Sequence, residues 1–337
     1  MVYLIIICII ILIIFYCINK LLKNTEHMTV NNIKLNEIFK KNGYEIDINT
    51  FTIRKCEGDK CLEKIYKTRN FNSLESHYKS KNKPLSNTIF KNNGIPVPDH
   101  YIIDNNNKHY YLNDFDIKFP CVLKPVDGMQ GTDVHTFIKN KKQFSDILNK
   151  LLNKYTKIMF ENQVYGDNYR IFIFNNKVMD IVKREQPFVI GNDINSLEEL
   201  IEKKNRIQLQ KKLFPVKNID WNYIYDQGYT KEDILEKNKK IFVTNTINFH
   251  NGANPVRINL NNIPEINKDM FVKAHKLIEL ECSGIDYMSD DISIPYNLNN
   301  GHIIEINDMV DTQIHVDADN RKNPNFLFEN IFNNFNF

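Results

Sequence analysis

Lys124 closes the apolar run CVLKP and is followed at once by Asp127-Gly128-Met129-Gln130-Gly131-Thr132. A strand that delivers a lysine into a glycine-containing loop offers phosphates a point charge and backbone N–H groups. No G-K-[ST] opens a helix here, so this is not a Walker A loop, and alone the run also fits a hairpin with an exposed lysine. A second candidate is the strand HIIEIN, where alternation puts Glu305 and Asn307 on one face. Asp286, in GIDYM, lies nineteen residues earlier. Two carboxylates and an amide oxygen are hard ligands suited to Mg²⁺ held against phosphate oxygens. Either strand alone also fits a polar sheet edge, but Glu and Asn carried inward on an Ile-rich strand are costlier to explain as structure. The third candidate is FENQVYGDNYR: Glu161 ends a strand, Gly166 turns it, and Arg170 sits on the next strand. That order suits a nucleoside beside a transferring phosphate, and it equally fits a solvated turn.

The elements that would position these groups are readable. Residues 85–91 form a short helix closed by Asn92, Asn93 and Gly94, and IPVPDHYII is extended chain entering a strand. Residues 119–138 read strand, Gly loop, strand, and KKQFSDILNKLLNKY is an amphipathic helix with Phe144, Ile147, Leu148, Leu151 and Leu152 on one side. KIMFENQV is a buried strand, and YRIFIFNNKVMDIVKRE is a hairpin turning at Asn175-Asn176. Ser196 starts a helix with Glu199 at capping-box distance, and residues 267–280 form another amphipathic helix. Strand-rich units with helices and no βαβ rhythm predict an α+β fold.

The 337 residues suffice for two or three domain-sized units. Forty-four Lys and Arg against forty-one Asp and Glu leave +3, too balanced to argue for a nucleic-acid partner. The six cysteines show no CxxC pair; Cys56 and Cys61 in CEGDKC lack a nearby second pair, so neither a disulfide framework nor a zinc site is expected. Val2 to Ile18 is seventeen residues without a charge, roughly 25 Å of helix. Lys20 and Lys23 follow it, and no small-residue cleavage site is present. We expect a transmembrane anchor at 1–23, a tether or vestigial subdomain at 24–64 and the main domain at 65–337. The positive-inside rule puts the C-terminal part on the cytosolic side of a single-pass membrane protein.

In this order the motifs resemble the ATP-grasp superfamily, and most of all the ATP-grasp domains of cyanophycin synthetase and the bifunctional glutathione synthetases. KNKPLSNTIFKNNGIPVP, VIGNDINSLEELIEKKN, SGIDYMSDDISIP and IIEINDMVDTQIH carry the resemblance over residues 65–315. It implies a two-lobed ATP-grasp fold. Lys83 and Lys124 would contact ATP phosphates, and Gly128, Gly131 and Thr132 would belong to the loop that closes over them. Glu161 and Val164 would lie in the hinge at the adenine, and Asp167 or Asn168 at the ribose. Arg170 would stand with Lys124 at the transferred phosphate, and Asp286, Glu305 and Asn307 would bind magnesium (two ions, or Mn²⁺ in its place). Arg184 and the Asn251-Gly252 region would line the acceptor site.

The resemblance implies an ATP-dependent carboxylate–amine ligase, tethered to a membrane through residues 2–18, acting on an amino acid or peptide through an acyl phosphate. Such chemistry rests on positioning and positive charge and needs no side-chain nucleophile. Three departures stand out: Asn168 where an acid is usual, Asp308-Met309-Val310-Asp311 after Asn307 where the family commonly has A-x-P-G, and only two glycines in the loop. They keep two alternatives in play, a non-catalytic nucleotide-binding scaffold and a phosphotransferase that forms no amide.

Overall fold

The computed structural model describes residues 37–47, 52–57, 60–65, 72–128, 131–211, 213–318 and 326–334. The expected anchor at 1–23 lies outside them, as do Met129 and Gln130 of the glycine loop. Among the described residues no helix is long and apolar enough to cross a membrane. The chain divides into two compact units, residues 1–69 with 323–337, and residues 70–322.

In the first unit β1 (Tyr44–Asp47), β2 (Thr52–Glu57) and β3 (Lys60–Ile65) make an antiparallel meander. Phe39, Tyr44 and Phe332 meet edge to face, with ring centroids 5.1 to 5.7 Å apart. That aromatic contact binds helix Phe326–Asn333 to this unit. Cys56 is disulfide-bonded, and its ladder partner is Cys61.

The second unit is built on two main sheets. β4 (His100–Ile103), β5 (Cys121–Pro125), β6 (His135–Ile138) and β7 (Ile158–Asn162) run in the order β4-β7-β5-β6. Helix Lys141–Leu152 starts where Asn140 accepts the Gln143 N–H, and buries Phe144, Leu148, Leu151 and Leu152. This face, at the predicted helical spacing, packs on Leu123, Ile138, Ile158 and Phe160 to form the core of the smaller lobe.

The larger lobe carries β8 (Asp167–Phe174), β9 (Lys177–Glu185), β12 (Asn254–Ile258), β13 (Cys282–Ser289) and β14 (His302–Asn307), ordered β12-β9-β8-β13-β14. Asn175 and Asn176 take positive φ (47° and 59°), which matches the tight turn predicted between β8 and β9. One face of the sheet presents Tyr169, Ile171, Ile285, Tyr287, Ile303 and Ile306 to Met270, Phe271 and Ala274 of helix Glu265–Leu277. Between β9 and β12 an insert carries β10 (Phe188–Ile190) paired with β11 (Lys240–Phe242) and the helix Leu197–Gln210, whose Ser196/Glu199 capping box forms as expected. Its own apolar cluster includes Leu197, Ile201, Ile224 and Ile241. Every pairing among the described strands is antiparallel, giving the two-lobed α+β architecture.

Candidate active site

In the smaller lobe Lys124 and Glu161 sit diagonally across the β5–β7 ladder, where Lys124 faces Met159 and Glu161 faces Val122. Their side chains are only 8% and 4% exposed, and Lys124 Nζ lies 2.7 Å from Glu161 Oε2. The other carboxylate oxygen, Oε1, is buried with no hydrogen-bond partner among the described residues. A buried acceptor left in this way is costly unless something bound supplies a donor. Val164, also expected at the hinge, has its carbonyl bound by Gln163 Nε2 at 2.7 Å. Lys83, at the start of helix Lys83–Asn92, reaches the glycine loop and donates to the Gly128 carbonyl at 2.6 Å. Gly131 has φ +73° and lies against Asn248, while Thr132 is exposed. Lys83 therefore reaches the loop that follows β5, whereas the Lys124 ammonium is held by Glu161.

In the larger lobe the sheet face opposite the apolar core gathers the remaining candidates. Arg170 and Asp286 are direct partners on β8 and β13, and Arg170 Nη1 donates to Asp286 Oδ1 at 2.7 Å. Arg184 Nη2 lies 3.0 Å from the same oxygen, and Arg184 Nε donates to Asn168 Oδ1 at 2.6 Å. With its amide oriented to satisfy its neighbours, Asn307 donates to Glu305 Oε1 at 2.8 Å and accepts from Arg170 Nη1 at 3.1 Å. Burial works against the Asp286 carboxylate, but Arg184 and Arg170 outweigh it and hold the group below its ordinary range. Burial opposes the Arg170 charge too; Asp286, Asp311 and Glu305 more than restore it.

Two local features set this face. Asp286 pairs with Glu305 but its neighbour Tyr287 pairs with Ile303, so Ile304 is an extra residue in β14. Without that bulge a strand starting with Ile303 in the core would turn Glu305 inward as well. Gly284, on β13, leaves the space that Arg170 fills, since a Cβ there would stand 2.6 Å from the guanidinium. The alternation of β8 also separates Asp167 from Asn168. Asn168 shares the face of Arg170, whereas Asp167 turns away and takes Lys183 Nζ at 2.5 Å.

Asp286, Glu305 and Asn307 form an all-oxygen donor set, and its chemistry fits Mg²⁺. Among the described residues no three His, Cys, Asp or Glu side chains cluster as a metal site. The expected acceptor residue Asn251 is committed elsewhere: its Oδ1 takes the N–H groups of Lys217 and Asn218, both at 2.9 Å. Gly252, at φ +80°, is packed on Val216. Sequence reasoning missed the neighbours of these two. His250 Nε2 lies 3.2 Å from Asp311 Oδ2, which joins the turn after β11 to the segment after β14. No spacing rule ties residues 61 positions apart, and the unusual Asp308–Asp311 segment was the one signal available.

Residues 80–210 match the model of the RimK-like ATP-grasp domain. Cyanophycin synthetase of Synechocystis sp. is 26% identical over 250 residues, 69% of this chain and 28% of that protein. The glutathione biosynthesis bifunctional protein of Clostridium perfringens is 25% identical over 268 residues, 75% of this chain and 34% of that protein. The chain thus spans about a third or less of these relatives. A crystal structure of a bifunctional glutathione synthetase from Pasteurella multocida has the same fold at a TM-score of 0.58 and 20% identity, covering 87% of this chain and 42% of that one. Residues 80–210 therefore resemble a RimK-like ATP-grasp domain, and the two-lobed fold is that of the bifunctional glutathione synthetase structure.

Proposed function

We propose that this protein is an ATP-dependent carboxylate–amine ligase that forms an amide bond through an acyl phosphate. The observation that carries the reading is the meeting of Arg170, Arg184, Asp286, Glu305 and Asn307 on one sheet face of the larger lobe. Lys83 and Lys124 would neutralise ATP phosphates from the smaller lobe, with Gly128, Gly131 and Thr132 lying over them. Glu161 and Val164 would line the adenine side, where the unmatched Glu161 Oε1 calls for a donor, and Asp167 or Asn168 would meet the ribose. Arg170 is placed to stabilise charge on the transferred phosphoryl group, as positioned cations do in such reactions. Asp286, Glu305 and Asn307 would hold magnesium, two ions in the fullest case, which when bound neutralises phosphate oxygens. The relatives' names point to an amino acid or a peptide as substrate.

The same reading includes a membrane tether. Support for it is the uncharged run Val2 to Ile18 followed by Lys20 and Lys23, an order that leaves the ATP-grasp domain on the cytosolic side. A second reading has its own observation: Asp286 is already held by two arginines, and Asn307 already spans Glu305 and Arg170. A scaffold that binds nucleotide without turnover would keep that arrangement. Thermal shift on the full chain in detergent, with ATP and Mg²⁺ and a panel of amino acids, separates the two when read beside ADP release. A ligand that binds the folded state raises the melting temperature by mass action. A shift with ADP release that needs a carboxylate and an amine supports the ligase. A shift without turnover supports the scaffold, and a folded protein with neither removes both.

A further inference from the structure

An amide ligase must also dispose of protons. An amine enters as an ammonium ion, and its nitrogen becomes a nucleophile only after losing a proton. Once it attacks the acyl carbon, the C–N bond forms and the C–O bond to phosphate breaks. Phosphate leaves with that electron pair, and nitrogen sheds a second proton to become the amide. No residue discussed so far is fit to take the first proton. Arginines 170 and 184 cannot accept one. Lys124 is paired with Glu161, and Lys183 with Asp167. Asp286 is held ionised by two arginines, and with Glu305 it belongs to the proposed metal donors. The Cys282 thiol is pushed far up by burial and stays protonated.

His250 stands where the need is. It follows Asn248, which lies 3.3 Å from a Cβ built on Gly131 of the phosphate loop. On its other side the ring meets Asp311, whose charge helps to keep Arg170 protonated. The turn carrying His250 therefore lies beside Gly131 of the loop and is joined to the segment that follows β14. The imidazole is about two-fifths exposed, so a substrate can reach it, while Phe214 and Phe249 fix its plane at 4.6 and 5.6 Å. Burial opposes the Asp311 carboxylate, but His250 and Arg170 hold it ionised. With Nε2 at 3.2 Å from an ionised Asp311, the proton of the neutral ring belongs on Nε2, leaving the Nδ1 lone pair as acceptor.

We propose that His250, oriented by Asp311, is the general base that deprotonates the attacking amine. The proposal rests on the ligase reading and adds to it the residue that moves the proton.

Hydroxylamine separates the two ideas. It is neutral at neutral pH and attacks acyl phosphates without a base, whereas an amino group needs one. With ATP, Mg²⁺ and a panel of amino acids and short peptides, the full-length His250→Ala variant should still form hydroxamate. Its amide formation should fall by about 10²- to 10⁴-fold, the usual contribution of a general base. Added imidazole should restore part of the loss, which a structural role would not allow. His250→Gln, which keeps a side chain of similar reach, should behave alike, and Asp311→Asn should lose less. Independently of substrate, nitrogen NMR of the wild-type ring should show the Nε2–H tautomer. Amide formation by His250→Ala at the wild-type rate, equal loss of hydroxamate and amide, or an Nδ1–H tautomer would each overturn the proposal. A wild-type protein that forms neither product overturns the ligase reading, and the base with it.

Discussion

Asp286 and Glu305 stand directly opposite each other across β13 and β14, and next to that pair Ile304 is an extra residue in the ladder. The bulge lets Glu305 join Asp286 on the arginine side while Ile303 and Ile306 both stay in the core. Glu305 has no arginine of its own in this set; it is joined through the Asn307 amide. It should therefore be the donor most available to magnesium. We predict that Glu305→Ala keeps the wild-type melting temperature within a few degrees but raises the Mg²⁺ needed for half-maximal ADP release at least about tenfold. An unchanged Mg²⁺ titration would remove Glu305 from the metal site.

Gly284 is the space into which Arg170 lies. A methyl group there must push the guanidinium off Asp286 or bend β13. Gly284→Ala is predicted to cut ADP release by about 100-fold, the scale for an ångström-sized misplacement. The accompanying overpacking should cost about 1–3 kcal/mol in chemical denaturation. Full activity with wild-type stability would mean that Arg170 is free to sit elsewhere.

The Lys124–Glu161 pair is buried on both sides. Breaking one half of such a pair strands a charge, whereas replacing both halves need not. Glu161→Ala should destabilise the nucleotide-free protein by about 3–5 kcal/mol, and Lys124→Met combined with Glu161→Leu by much less. Lys124→Ala should in addition weaken ATP binding, measured by calorimetry. Additive costs in the double variant would show that the pair is not coupled.

His275 tests the core of the larger lobe by pH. It is fully buried with Nδ1 2.8 Å from Ser283 Oγ, and burial, helped by Lys276, lowers its pKa from 6.5 to about 4. The unfolded chain takes up this proton near pH 6.5, and the native protein only near pH 4. Stability is thus complete above the first value and lost as pH falls toward the second, a change of roughly 3 kcal/mol. In urea unfolding, His275→Gln should flatten the profile across that window. Profiles of equal slope would place the titrating group elsewhere.

Much of this protein was written locally. The Ser196/Glu199 capping box, the Asn175-Asn176 turn and the apolar stripe of helix Lys141–Leu152 depend on residues within a few positions of one another. Side-chain period and turn chemistry act over that range, so they can be read from the chain. Motif order likewise marked Lys83, Lys124, Arg170, Asp286, Glu305 and Asn307. What alternation could not supply was the face. Whether Asp167 or Asn168 joins Arg170, and whether Glu305 points out or in, depends on strand register and on one bulged residue. Nor could it supply the long-range partners. Glu161 beside Lys124, Arg184 beside Asp286, His250 beside Asp311 and Phe332 beside Phe39 follow from strand order and from which surfaces bury each other. Those contacts join residues far apart in the chain, and only the packed fold brings them within bonding distance.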